Sequence, residues 1–183
     1  MVDGIGRVFV AVSLPDEVRM ALSDRLAEIT LPGRVTPPQN WHITFRFLGN
    51  IGAVAYERFL AGLDTSDLGD PFRVGLGSLG AFPGARKANV IWVGTSKGEE
   101  RLRQLGEVCE EAAQAAGLSP NERPFHPHLS LSRVRPPQDV RRLVDQVPAL
   151  GLEWHCRSVV VYRSHLGKEG ARYEPLETLP LAR

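Results

Sequence analysis

The stretch Trp41-His42-Ile43-Thr44-Phe45-Arg46-Phe47-Leu48-Gly49 decides how the rest of the chain is read. Six of its nine residues are β-branched, aromatic or Leu, so it reads as a strand closed by Gly49. Successive side chains of a strand point to opposite faces. Strict alternation therefore puts Ile43, Phe45 and Phe47 on a core face and His42, Thr44 and Arg46 on the other. An imidazole, a hydroxyl and a guanidinium in line do not suit an apolar interior; they form a cradle for an anion.

The arrangement recurs once. Phe125-His126-Pro127-His128-Leu129-Ser130-Leu131-Ser132-Arg133 puts His128, Ser130 and Ser132 on one row and Leu129 and Leu131 on the other. Each stretch follows a turn rich in Pro and polar residues, 36–40 and 120–124. The chain thus holds two copies of aromatic, x, His-x-Thr/Ser, one in each half.

The flanking sequence surrounds these strands with a conventional α+β pattern. Residues 7–14 form a β-rich run ended by Pro15, which is suited to open a helix reaching about Ile29. Helices are expected over 53–63, 99–116 and 137–147, the one over 99–116 closed by Gly117 and the last with Val140, Leu143, Val144 and Val147 inward. A glycine-rich bent strand beginning at Phe72 and a returning strand over 89–94 read as a hairpin about the loop Phe82-Pro83-Gly84. Residues 152–162 and 174–181 are expected to be extended, with a basic, Gly-rich loop over 163–172 between them that lies over a site. Paired strands alternating with helices favour antiparallel sheets over a doubly wound fold. The expectation is one bilobal domain over residues 1–183: two pseudo-symmetric halves, helices on the outer faces, and the His rows facing across a cleft.

Composition narrows the setting. The 183 residues suffice to bury roughly 70% of the unfolded surface without a staple. A net charge of +1 gives no bulk attraction to polyanions, so affinity for nucleic acid must be local. Cys109 and Cys156 lack metal-type spacing and suit buried thiols in a reducing compartment. No apolar run approaches the roughly 20 residues of a membrane span, and no secretory signal is visible. A cytoplasmic monomer is the default expectation.

Two imidazoles facing one another are the minimum apparatus for protonating one oxygen while deprotonating another near neutral pH. A phosphodiester suits the pair, because its attacking and leaving oxygens lie in line on opposite sides of phosphorus. Thr44 and Ser130 point the same way as the histidines and are candidates to bond the non-bridging oxygens. Arg46 or Arg133 would add positive charge. Arg133 is off the His128 row by parity, and reaches the cleft only if the strand ends or bulges near Ser132.

The paired His-x-Thr/Ser motifs resemble the two-histidine (2H) phosphoesterase superfamily. The resemblance extends to Arg7–Pro15, Pro37–Gly49, Phe125–Arg133 and Ala171–Glu174, which are similar in order and type to the RNA 2',3'-cyclic phosphodiesterases, also called 2'-5' RNA ligase-like proteins. It implies hydrolysis of a 2',3'-cyclic phosphate on an RNA end or nucleotide to a 2'-phosphate, with no metal or other cofactor. It also implies His42 as proton donor and His128 as proton acceptor; the symmetric spacing does not choose between them. Ser130 departs from the usual Thr, keeping the hydroxyl but losing the β-branch that fixes its rotamer.

Further candidates are less specific. His126 shares the row of His128, but no third ligand follows at zinc spacing. Phe9 and Tyr173 are candidates to stack on a base. Arg133, Arg135, Arg141 and Arg142 are either a solvated surface or a path for RNA. Trp41, Trp92 and Trp154 read as core, and His155 and His165 as structural. Two other functions use the same residues: 2'-5' ligation, which is the reverse chemistry, and RNA-end binding without turnover.

Overall fold

The structure is a computed structural model and describes residues 4–182. β1 (Gly4–Ser13), α1 (Asp16–Leu26), β2 (Arg34–Val35), β3 (His42–Gly52) and α2 (Ala53–Asp64) form the first part of the chain. β4 (Phe72–Phe82), β5 (Ala88–Lys97), α3 (Glu99–Ala115), β6 (His128–Gln138) and α4 (Arg141–Gln146) follow, and β7 (Leu152–Cys156), β8 (Ser158–Gly167) and β9 (Gly170–Pro180) complete it.

The strands run antiparallel in the order β7-β4-β5-β6-β3-β1-β8-β9, with the two-residue β2 also on β6. This bears out the α+β expectation and adds one feature to it. The sheets of the two halves are a single sheet, joined where β3 meets β6 at the pair Ile43–Leu129. The two His strands are therefore neighbours at its centre, side by side on one face rather than facing each other across a cleft between two sheets.

Helices cover one face. α3 buries Leu102, Leu105, Cys109, Ala112 and Ala113, the stripe its 3.6-residue spacing predicts, and Gly117 follows it at φ +96°, a conformation glycine adopts without strain. Although α3 follows β5, it packs against β3 and α2 of the other half; α1 follows β1 yet contacts β7. The helices thus lock the seam from behind. Ile43, Leu129, Leu131 and Leu105 are all buried in one cluster. Truncating Leu105 to Ala would cost about 2–5 kcal/mol through lost burial and the cavity left.

Several boundaries differ from the sequence reading. The segment 152–162 breaks at Arg157, sending β7 to one edge of the sheet and β8 to β1 near the other. The expected loop over 163–172 is mostly strand, because β8 and β9 pair from Ser158–Pro180 to a tight turn at Gly167–Gly170. The last helix starts late, since β6 stays paired with β5 as far as Gln138.

The alternation first slips three residues after the histidine in each His strand. Ala11 pairs with Thr44 and Val10 with Arg46, so β3 carries an extra residue at Phe45. Trp92 pairs with Ser130 and Ile91 with Ser132, so β6 carries one at Leu131. Past each bulge the faces exchange. Arg46 and Ser132 turn into the core, whereas Phe47 and Arg133 turn to the histidine face.

Candidate active site

Because Ile43 and Leu129 are direct antiparallel partners, His42 lies opposite Ser130 and Thr44 opposite His128. The four side chains occupy the corners of a square on the face away from α3. The two histidines take a diagonal, where such neighbours are about 7–8 Å apart, room for a phosphate between the rings. Sequence spacing of 86 positions becomes adjacency through one strand pair.

Both rings are held alike. His42 Nδ1 is 2.7 Å from the carbonyl of Asn40, and His128 Nδ1 is 2.6 Å from the carbonyl of His126. A carbonyl only accepts, so Nδ1 carries the hydrogen in both and Nε2 is the nitrogen left for proton transfer. Local structure supports these carbonyls. Asn40 closes a short 3-10 turn over Pro38–Asn40, and its Nδ2 donates to the carbonyl of Ala171 at the start of β9. Arg19 of α1 donates to the carbonyls of Pro38 and Leu14. On the other side, Arg103 of α3 donates to the carbonyl of Phe125, whose ring packs on Phe45.

Aromatic residues wall each imidazole. His42 has Phe9 at 4.8 Å and Tyr173 at 5.2 Å between centroids, with Tyr162 at 6.5 Å. His128 has Phe82 at 5.0 Å and Trp92 at 6.1 Å, and lies nearly parallel to His126 at 6.2 Å. Burial in this wall pushes His42 down to about 4; the Asn40 carbonyl opposes the fall, and the charges of His128 and Arg19 add to it. His128 is lowered for the same first reason, its carbonyl bond to His126 opposing and the His126 ring adding to the fall. Without an anion between them, both rings favour the neutral state at pH 7.

His42, Thr44, His128 and Ser130 come together, and Tyr173 and the exposed His126 border them. Arg133 reaches the same face by the bulge at Leu131 and is felt electrostatically by Tyr173, whose hydroxyl pKa is raised mainly by burial. Arg46 does not reach it. The residue is 8% exposed and its side chain faces α3, where Nε makes a 2.6 Å ion pair with Glu110 that is not an aligned hydrogen bond. It also donates to Asn121 Oδ1 and to the carbonyl of Ser119. Ser132 is likewise turned away, its hydroxyl donating to the carbonyl of Pro32.

Phe9 is 2% exposed, so it supports His42, Phe47 and Tyr173 from beneath and has no open face for a base. Arg141 is held by Asp139 away from this face, and His165 pairs with Glu174 on the back of the hairpin. Trp41 and Trp154 are core, but Trp92 is not: it stands on the cleft face over Gly80, where a Cβ would meet its ring at 2.2 Å. Trp92, Phe82, Tyr162, Phe47 and Asn40 were not legible as site residues. Parity marks Tyr162 and Trp92 only once their partners Phe9 and Ser130 are known.

Comparison with known proteins agrees with this geometry. Residues 8–168 match the model of the 2'-5' RNA ligase superfamily. A protein of Aeropyrum pernix named RNA 2',3'-cyclic phosphodiesterase is 32% identical over 85% of this chain and 90% of its own length. One of the same name from Thermus thermophilus is 33% identical over 96% and 90%. The crystal structure of Escherichia coli LigT in apo form superposes with a TM-score of 0.81 at 26% identity, covering 97% of this chain and 98% of that one. On the fold, the duplicated histidine strands and the match over most of its length, the chain belongs to the 2'-5' RNA ligase superfamily, of two-histidine phosphoesterase fold.

Proposed function

We propose that the protein hydrolyses 2',3'-cyclic phosphate ends of RNA or nucleotides to 2'-phosphates by metal-free acid-base catalysis at His42 and His128. The observation that carries this reading is the identical mounting of two imidazoles on adjacent strands, each with Nε2 free and a hydroxyl two residues on. The relatives' shared name supports the substrate class.

The cyclic phosphate occupies the square, its non-bridging oxygens accepting hydrogen bonds from Thr44 and Ser130, with Arg133 adding charge. Nε2 of neutral His128 takes a proton from water as the water oxygen bonds to phosphorus. The bond from phosphorus to O3' breaks on the opposite side, and Nε2–H of protonated His42 gives its proton to that oxygen. The products are a 3'-hydroxyl and a 2'-phosphate, and a proton returns from His128 to His42 through solvent. Each group is worth about 10²- to 10⁴-fold.

The donor role requires a proton that His42 lacks in the free protein. The phosphate anion supplies the reason for its arrival, since an opposite charge within a few ångströms favours imidazolium. Titrating the His42 ring by NMR with and without a bound nucleotide 2'-phosphate therefore checks the assignment. Its pKa is expected to rise well above 4 on binding; a ring that stays neutral at pH 7 in the complex exchanges the roles of the two histidines. Turnover of a nucleoside 2',3'-cyclic phosphate in EDTA, with a 2'-phosphate as product, tests the reaction itself. Loss of turnover on chelation would overturn the metal-free step.

A further inference from the structure

β2 is only two residues long, yet it is fastened to β6 with care. Thr36 N–H donates to the carbonyl of Leu131 at 2.8 Å, and Ser132 Oγ donates to the carbonyl of Pro32. Gly33, at φ +82°, lies so close to β6 that a Cβ there would meet the Arg133 carbonyl oxygen at 2.3 Å. The outcome of this stitching is a direct cross-strand pair, Arg34 opposite Arg133, both exposed and both on the histidine face.

Like charges directly opposite across an antiparallel pair destabilise it. No acidic partner relieves either guanidinium among the described residues. The next cations repeat the theme. Arg135, two residues along β6, shares the face, and Arg7 does so on β1, where it pairs with Ser164 in step with Phe9 and Tyr162. The Arg34 guanidinium reaches the turn of the β8–β9 hairpin, where a Cβ on Gly170 would lie 2.9 Å from its Nη2. Tyr173, three residues further on, feels the charges of Arg133 and Arg7. The end of the cleft between β6 and the hairpin is thus rimmed by arginines that form no ion pair among the described residues. From Ser130 to Arg133 the strand covers ~10 Å, so the pair is centred beyond the cyclic phosphate at the histidines: Arg133 stands between that phosphate and a connected one, and Arg34 is within reach of the connected one.

We propose that Arg34, paired with Arg133, binds the phosphodiester that joins the terminal nucleotide to the one before it, making the protein selective for oligoribonucleotide ends over cyclic mononucleotides. This rests on the hydrolase reading above and extends it from the reacting phosphate to its neighbour. An anion bridging both guanidiniums removes the repulsion that the empty pair carries.

The test compares a nucleoside 2',3'-cyclic phosphate, which has no second phosphate, with a dinucleotide ending in the same cyclic phosphate. The ratio of kcat/KM values, dinucleotide over mononucleotide, is measured for the parent chain and for Arg34→Gln and Arg34→Lys. The parent ratio is expected to exceed one and to fall about tenfold in Arg34→Gln, the scale of one charge-assisted hydrogen bond. Arg34→Lys should restore part of it, and raising salt should depress the parent's dinucleotide rate more steeply than the variant's. Mononucleotide turnover reports that each variant is folded. An unchanged ratio in Arg34→Gln overturns the inference while leaving the hydrolase reading intact. Absence of mononucleotide turnover in the parent overturns the hydrolase reading instead.

Discussion

The two halves of the site are alike up to the fourth residue after each histidine and different from there on. In both, Nδ1 is held by the carbonyl two positions back, a hydroxyl follows two positions on, and a bulge comes next. The fourth position is Arg46 in one and Ser132 in the other, both turned inward by the bulge. Each clasps the loop that enters the opposite histidine strand: Arg46 holds Ser119 and Asn121, ahead of His128, and Ser132 holds Pro32, ahead of His42. The fifth position turns outward again, as Phe47, 62% exposed, in one half and as Arg133 in the other. Under the proposed function, the symmetric part meets two equivalent oxygens of one phosphate, and the asymmetric part meets a base on one side and a charged backbone on the other.

Replacing either catalytic candidate is the strongest way to break the symmetry. His42→Ala and His128→Ala should each lower kcat/KM for a cyclic phosphate by about 10²- to 10⁴-fold. The double variant should be little worse than the weaker single one, because the pair acts as a unit. If one substitution has no effect on the rate, the two halves are not equivalent partners.

The clasps should differ in strength. Arg46→Met leaves the Glu110 carboxylate, held below its usual range despite burial by Asn121 N–H, Gln114 and Arg46, without its counter-charge. The expected loss is about 3 kcal/mol in urea unfolding, the scale of breaking a largely buried pair. Ser132→Ala leaves only the Pro32 carbonyl unbonded and should cost about 1 kcal/mol. Equal losses would mean that the two clasps are interchangeable.

Acid should act through the first half more than the second. His42 is depressed from 6.5 to about 4 on folding, so the unfolded chain takes up its proton first. That contribution is fully present above pH 6.5 and is lost as pH falls towards 4, up to about 3 kcal/mol for a shift of this size. Measured between pH 7 and 4, stability should fall less steeply in His42→Gln than in the parent chain. The smallest effect is expected at the one departure within the square. Ser130→Thr supplies the β-branch that Thr44 has and should change kcat/KM by no more than about threefold.

How far these features were legible depends on how local they are. Helix α3 was readable because its stripe and terminating Gly117 are set by spacing along one segment. The square of His42, Thr44, His128 and Ser130 was readable because period-two alternation holds across three residues. Arg46 was misread because one extra residue at Phe45 reverses parity, and nothing in Thr44-Phe45-Arg46 marks the slip. Arg133 was read as reaching the cleft only if the strand ended or bulged near Ser132, and β6 has a bulge at Leu131. Trp92 was assigned to the core because a large aromatic residue usually belongs there; only its pairing with Ser130 puts it beside His128.

The amino-acid order alone determined that two imidazoles and two hydroxyls would stand in matching rows on two strands, since a strand's pleat fixes the facing of residues two apart. Whether those rows would meet, which arginine would reach them and which would be withdrawn were decided by the pairing of β3 with β6 and by the bulges at Phe45 and Leu131. Register and bulges answer to partners remote in the chain, and that dependence is carried by the folded sheet.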